Sequence, residues 1–406
     1  MSLGVPGALG AVAPPVQETK RAPTFHFEPG GPVSDAQLGE FHATLECAID
    51  GEGIGAMTLA FWPEKAPKTV RNFLRYCDEG FYDGVTFHRV LRDFMIQGGD
   101  PGGTGTGNGP YGTIVDEFST DDQWAHRYGV ISMAHIGRPN TASCQFFICN
   151  DDSPGVWNLD GKYASFGRLV AGVATLEALS NAPVEVGGAE RSKPTRRLTI
   201  EKATVHRGAP PATSDVIARP MPDLRGEPAK VTVQHVLISF SGTGTTATRT
   251  KEEAAALAAK VLARAQAGED FTALVRELSD DPNDPDDPKP GVYEMFNHGV
   301  RDVAAERALY LAQRDATEKA RALNTELQTK VRAGEMSQIE MRQKLEAYQK
   351  ELKAGLQELA AAPRPRAQMV TGFGDVAFSL EVGGIGTTEF DPASSKFGWH
   401  IIRRLE

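Results

Sequence analysis

The ordered part of the chain opens with alternation. "FHATLECAI" (41–49) places apolar residues at strand spacing, and "MTLAFW" (57–62) reads as its hairpin partner across a Gly-rich turn. The period then lengthens: in "APKTVRNFLRYCDEG" (66–80), Val70, Phe73, Leu74 and Cys77 recur at helical spacing. Short strand-like runs broken by Gly-rich loops follow, with a second short helix expected around 171–180. Many short strands with two helices predict a β-barrel or sandwich rather than alternating βαβ units.

The pattern lapses twice. Residues 1–38 are rich in Pro, Gly and Ala without periodicity and read as a flexible leader, while 207–229 is a Pro-rich, polar linker between a first domain over 39–206 and a second over 230–406. The second domain restarts with the strand "VTVQHVLISF", followed by helices expected at about 251–267 and 270–278 and a Pro-Asp loop, "SDDPNDPDDPKPG". Residues 302–362 differ in kind. Proline is absent there, and Ala316, Ala320, Leu323, Leu327 and Val331, then Leu345, Tyr348, Leu352, Leu356 and Leu359, keep helical spacing on either side of Gly334. This predicts a helical hairpin inserted into the second domain and ended by Pro363 and Pro365.

A length of 406 residues suits two domains, and a net charge of −10 without a Lys/Arg tract argues against nucleic acid or an anionic membrane as partner. No apolar run is long enough to span a bilayer, which excludes an integral membrane segment. The apolar start "MSLGVPGALGAVA" ends like a secretory signal but lacks its charged beginning, so a cytoplasmic location is favoured over export to the periplasm. The four cysteines, Cys47, Cys77, Cys144 and Cys149, form no C-x-x-C pair and read as buried free thiols.

Candidate chemistry concentrates in "FHRVLRDFMIQGGDPGGTGTG" (87–107). His88 and Arg89 on a strand face opposite sides, and the loop after Leu91 is expected to bring Phe94, Met95 and Gln97 round beside the arginine. An apolar pocket with one permanent cation and one amide suits a neutral, amide-bearing substrate. No activated nucleophile accompanies it, so hydrolysis is disfavoured. The glycine run lacks the G-K-[ST] ending of a phosphate loop.

"FHRVLRDFMIQGGD", "ISMAHIGRPNTASCQFFIC" and "LDGKYASFGRLV", in this order and spacing, resemble the cyclophilin family of peptidyl-prolyl cis/trans isomerases over about 41–206. The resemblance implies an eight-stranded antiparallel β-barrel with two helices. It makes Arg89 the catalytic arginine, puts Phe94, Met95, Phe147 and Leu159 in the proline pocket, and gives Gln97, Ala134 and His135 to the peptide groove. His135 stands where asparagine is common, Tyr163 where histidine is frequent, and Asn158, next to Trp157, at or beside a tryptophan important for cyclosporin binding.

The second half, through "VTVQHVLISF", "FTALVRELSDD", "MVTGFGDVAFSLEVGGIG" and "FGWHIIRRLE", resembles the parvulin family, an unrelated class of prolyl isomerase. That implies an α+β domain interrupted by the helical hairpin. By resemblance His235 and His400 are paired core histidines, Asp281 holds the Asp/Cys position, and Met369 and Phe373 line a proline pocket. "PGVYEM" replaces the usual Gly-Asp-Leu-Gly run, and only Arg249 and Lys251 approach a loop where a phosphate-reading site would gather cations.

Together these imply isomerisation of X-Pro bonds in unfolded or flexible proline-containing proteins, with no cofactor and no metal. The rival expectation is one active cyclophilin tethered to a catalytically weak, parvulin-like client-binding module. Self-association through 302–362 is a further expectation.

Overall fold

The computed structural model describes residues 21–185, 191–211, 217–281, 286–359 and 363–406. The chain divides into two compact units, Met1–Pro220 and Met221–Glu406.

The first unit is built on eight strands: β1 (Phe41–Ile49), β2 (Glu52–Phe61), β3 (Phe87–Leu91), β4 (Met95–Gly98), β5 (Val130–Met133), β6 (Phe146–Cys149), β7 (Ala164–Ala171) and β8 (Leu198–Arg207). They form one sheet in the order β3-β4-β6-β5-β7-β2-β1-β8, with every pairing antiparallel. Its two edges meet through a Thr86/Thr199 bridge and the Ile200 N–H to Val85 carbonyl bond of 2.8 Å, so the sheet closes into a barrel. Closure leaves β3, the strand of Arg89, without a free edge.

Helix α1 (Pro67–Asp78) starts at a proline, which costs nothing at a first-turn position, and buries Val70, Phe73, Leu74 and Cys77 against the barrel. The Glu117 carboxylate accepts the Lys68 and Thr69 N–H groups at its N-terminus. A one-turn helix α2 (Pro154–Trp157) follows β6, and α3 (Val173–Ser180) packs on β2.

Both low-complexity stretches are partly docked. Leader residues 1–20 lie outside the described residues, but 21–40 differ from a flexible leader: Phe25 and Phe27 pack on Phe41, and the Asp78 carboxylate accepts the N–H groups of Thr24, Phe25 and His26. Three apolar and acceptor anchors outweigh a composition that carries no periodicity. In the linker, β8 runs to Arg207, residues 212–216 lie outside the described residues, and Ile217 packs on the core of the first unit.

The second unit has a five-stranded sheet, made of β9 (Lys230–Ile238), β10 (Val292–Phe296), β11 (Arg364–Pro365), β12 (Ile385–Thr388) and β13 (Trp399–Arg404) in the order β11-β10-β9-β13-β12. Helices α4 (Lys251–Gln266) and α5 (Phe271–Leu278) cover one face through Val236, Ile238 and Ile401. The long helices α6 (Val303–Arg332) and α7 (Gln338–Leu359) form the hairpin, turning at Gly334 with φ +75°. Ala316 and Leu327 are buried, Leu345 and Tyr348 are half-buried, and Ile339 near the turn stands exposed. Helix α8 (Thr371–Ser379) covers the other face of the sheet through Val231, Val233 and Ile402. Because both faces are covered, β9 is buried continuously from Val231 to Ile238 rather than at alternate positions, polar Thr232, Gln234 and His235 included.

Candidate active sites

In the first unit, β3 and β4 form a tight hairpin in which Arg89 pairs with Gln97 and Leu91 with Met95. Met95 and Gln97 therefore reach the arginine as cross-strand partners, not from a loop as expected. The local turn is so short that strand pairing resumes at once. The Arg89 guanidinium donates to Gln97 Oε1 at 3.1 Å and lies 3.7 Å from Met95 Sδ. Met95, Phe147, Cys149 and Val156 form a small buried cluster separate from the barrel core, with Leu91, Phe94, Ala134, Leu159 and Tyr163 packed around it. This is an apolar cup with a cation at its edge.

The groove beside it carries Gln97, Ala134 and His135 together with Gly105, Ile136 and Gln145. Gln97 donates to Gln145 Oε1 at 3.0 Å, and Gln145 donates to the Gly105 and Gly107 carbonyls. Gln145 is a site residue that sequence reasoning missed, although it lies inside the quoted "SCQFFIC". Its role depends on a partner 48 positions away. His135 accepts the Gly137 N–H at Nδ1, faces the Lys162 carbonyl with Nε2 at 2.8 Å and stacks on Tyr163 with 4.3 Å between centroids. Those contacts require the Nε2-protonated tautomer.

The glycine run is folded around one carboxylate. Asp100, fully buried, accepts the N–H groups of Gly102, Thr104 and Gly105, and those bonds outweigh the burial that would raise its pKa, holding the acid below the usual aspartate value. His88 points away from the cup, and burial lowers its pKa. Trp157, at the end of α2, is fully buried, while Asn158 is exposed and accepts from Lys162 Nζ.

In the second unit, His235 on β9 and His400 on β13 lie on neighbouring strands, on the face covered by α8. Nδ1 of each ring faces the other at 3.4 Å, and His235 Nε2 lies 3.1 Å from Asp281 Oδ2. Phe373 stands edge-on to both rings and Met369 packs on the same cluster. Tyr293, in the atypical "PGVYEM", donates its hydroxyl to the same Asp281 oxygen at 2.7 Å. Sequence reading marked that segment as a departure and missed the tyrosine as a partner.

Burial would raise the Asp281 pKa, but the bonds from His235 and Tyr293 overcome it and lower it. Burial and the neighbouring imidazole drive His400 down to about 3, so it stays neutral. Nearby, Arg249 is bound by Asp280 and the Ser239 carbonyl, and the Lys251 ammonium lies over the Phe390 ring.

The first site sets an apolar cup beside a guanidinium bonded to Gln97. Residues 45–205 match the family described as cyclophilin type peptidyl-prolyl cis-trans isomerase/CLD, and 220–313 match the PPIC-type PPIASE domain, a match that ends within α6. A peptidyl-prolyl cis-trans isomerase of Schizosaccharomyces pombe is 44% identical over 140 residues, spanning 32% of this chain and 88% of that protein. A Staphylococcus haemolyticus protein named for the same activity is 40% identical over 178 residues, covering 37% of this chain and 86% of its own. The crystal structure of a Cryptosporidium parvum cyclophilin type isomerase is 31% identical with a TM-score of 0.36, covering 41% of this chain and 98% of that one. The chain belongs to the cyclophilin-type peptidyl-prolyl cis/trans isomerases and carries a PPIC-type rotamase domain beside the cyclophilin barrel. It is an enzyme that turns X-Pro bonds in proline-containing peptides and proteins. No helix among the described residues is long and apolar enough to cross a membrane.

Proposed function

We propose that Arg89 is the catalytic residue of the first centre. The barrier to X-Pro rotation, roughly 18–20 kcal/mol, comes from amide resonance. As the bond twists, the prolyl nitrogen regains its lone pair. A guanidinium aimed at that nitrogen stabilises the twisted state more than the planar one, and only such a difference accelerates the step. Phe94, Met95, Phe147 and Leu159, with Ala134 and Tyr163, hold the ring away from water. Gln97, His135 and Gln145 hold the peptide backbone while the rest rotates. The observation that carries this reading is the Arg89 guanidinium tied to Gln97 at 3.1 Å on the rim of the apolar cup.

The second centre works from Asp281, His235 and His400, with Met369 and Phe373 at its apolar wall and Tyr293 holding the carboxylate. Domains over 39–206 and 230–406, joined through 207–229, house the two centres, and the clients are unfolded or flexible chains. Exchange on a short Ala-Pro peptide, followed by NMR with full-length protein, tests this. Arg89→Ala should reduce exchange but leave a residue of it, and the triple change Arg89→Ala, His235→Ala, Asp281→Ala should abolish it. If Arg89→Ala alone removed all exchange, the chain would hold one enzyme tethered to a binding module.

A further inference from the structure

Arg219 lies outside the stretch matched to the cyclophilin family, yet its guanidinium reaches back onto the catalytic hairpin. Nη2 meets Asp93 Oδ1 at 2.5 Å and Nη1 meets Asp151 Oδ1 at 2.9 Å. Asp93 sits in the β3–β4 turn with φ +61°, directly before Phe94. Asp151 follows Asn150, whose side chain accepts the Phe94 N–H at 2.7 Å and donates to the Leu91 carbonyl at 3.1 Å. One cation therefore joins the turn to the residue beside the asparagine that grips it.

We propose that Arg219 is a positioning residue for the proline pocket: the linker, not the barrel alone, fixes the turn that presents Phe94. An exposed ion pair is ordinarily worth little. Here one partner, Asp151, is only 4% exposed at its side chain, and Ile217, two positions earlier, packs on the core. The arginine is thus delivered from anchored backbone, which lowers the entropy lost in holding it. The second unit begins at Met221, so an event that drew the linker off the first unit would also release the turn.

This inference rests on Phe94 lining the prolyl pocket, and the test separates the two ideas. Exchange kinetics on an Ala-Pro peptide series would be measured with full-length Asp281→Ala protein, which reports the first centre, alone and combined with Arg89→Ala, Arg219→Ala, Arg219→Lys, Asp93→Asn or Arg219→Ala/Asp93→Asn. Arg219→Ala and Asp93→Asn should each raise KM about threefold to tenfold, with kcat changed less than twofold. The double variant should go no further than Arg219→Ala alone, and Arg219→Lys should recover part of the loss. An unchanged KM in Asp93→Asn, which keeps the Asp151 pair intact, would overturn the proposal even if Arg219→Ala folded poorly. Additive effects of the two changes would overturn it as well. Indifference to Arg89→Ala would instead overturn the reading of the pocket.

Discussion

At Arg89 one guanidinium nitrogen, Nη1, donates to the Gln97 amide oxygen and lies against the Met95 thioether, so cross-strand neighbours orient the group. Arg89→Lys keeps the charge and loses the fork. We expect about a 10- to 100-fold drop in first-centre exchange, less than the roughly 100- to 1000-fold cost of removing an aimed donor outright because the charge is kept. Retention of full exchange by the lysine variant would show that charge alone suffices. The cysteines make the opposite point. All four are buried, burial pushes the thiols of Cys47 and Cys144 up to about 12, and it raises Cys77 and Cys149 well above the ordinary range. A disulfide reagent should label them only at the rate of unfolding, measured in parallel by fluorescence. At this scale Arg89, Phe94, Phe147 and Leu159 were legible because they sit in long local motifs. Gln145 and Tyr293 were not, since each acquires its role from a partner on another strand or loop.

Among the elements, the glycine-rich loop depends on a close approach between backbone and carboxylate. A Cβ on Gly107 would fall 2.0 Å from Asp100 Oδ1, the group around which the loop is organised. Gly107→Ala should destabilise the first unit by roughly 1–3 kcal/mol, as overpacking does, and raise KM through the Gln145 contact to the Gly107 carbonyl. Thermal unfolding together with exchange kinetics would show it, and an unchanged variant would mean that the loop relaxes freely. The strand and helix periods of β1, α1, α4 and the hairpin were readable from residue spacing. The β3–β4 turn was not, because two polar residues, Arg92 and Asp93, between apolar ones fit a loop or a tight hairpin equally well until pairing with β6 fixes the register.

Across the whole molecule, buried groups make the second unit sensitive to acid. His400 has a folded pKa of about 3 against an unfolded value near 6.5, so below about pH 6.5 the unfolded chain takes up a proton that the folded one refuses. Its contribution to stability is complete above that pH and is lost as pH falls toward about 3. The lowered Asp281 acts in the same direction further into the acid range. Denaturant unfolding of the second unit should therefore weaken by up to about 1.4 kcal/mol per pH unit just below pH 6. His400→Gln should flatten that slope, and an identical slope in the variant would assign the acid sensitivity elsewhere. The sequence by itself determined the two isomerase folds and the helical hairpin, because periodicity and long contiguous motifs are local properties. Only the tertiary structure decided that Arg219 reaches the β3–β4 turn, that Tyr293 and His235 share an oxygen of Asp281, and that residues 21–40 dock on the barrel. Those contacts join distant positions through a few hydrogen bonds, ion pairs and ring contacts, which leave no repeating signal along the chain.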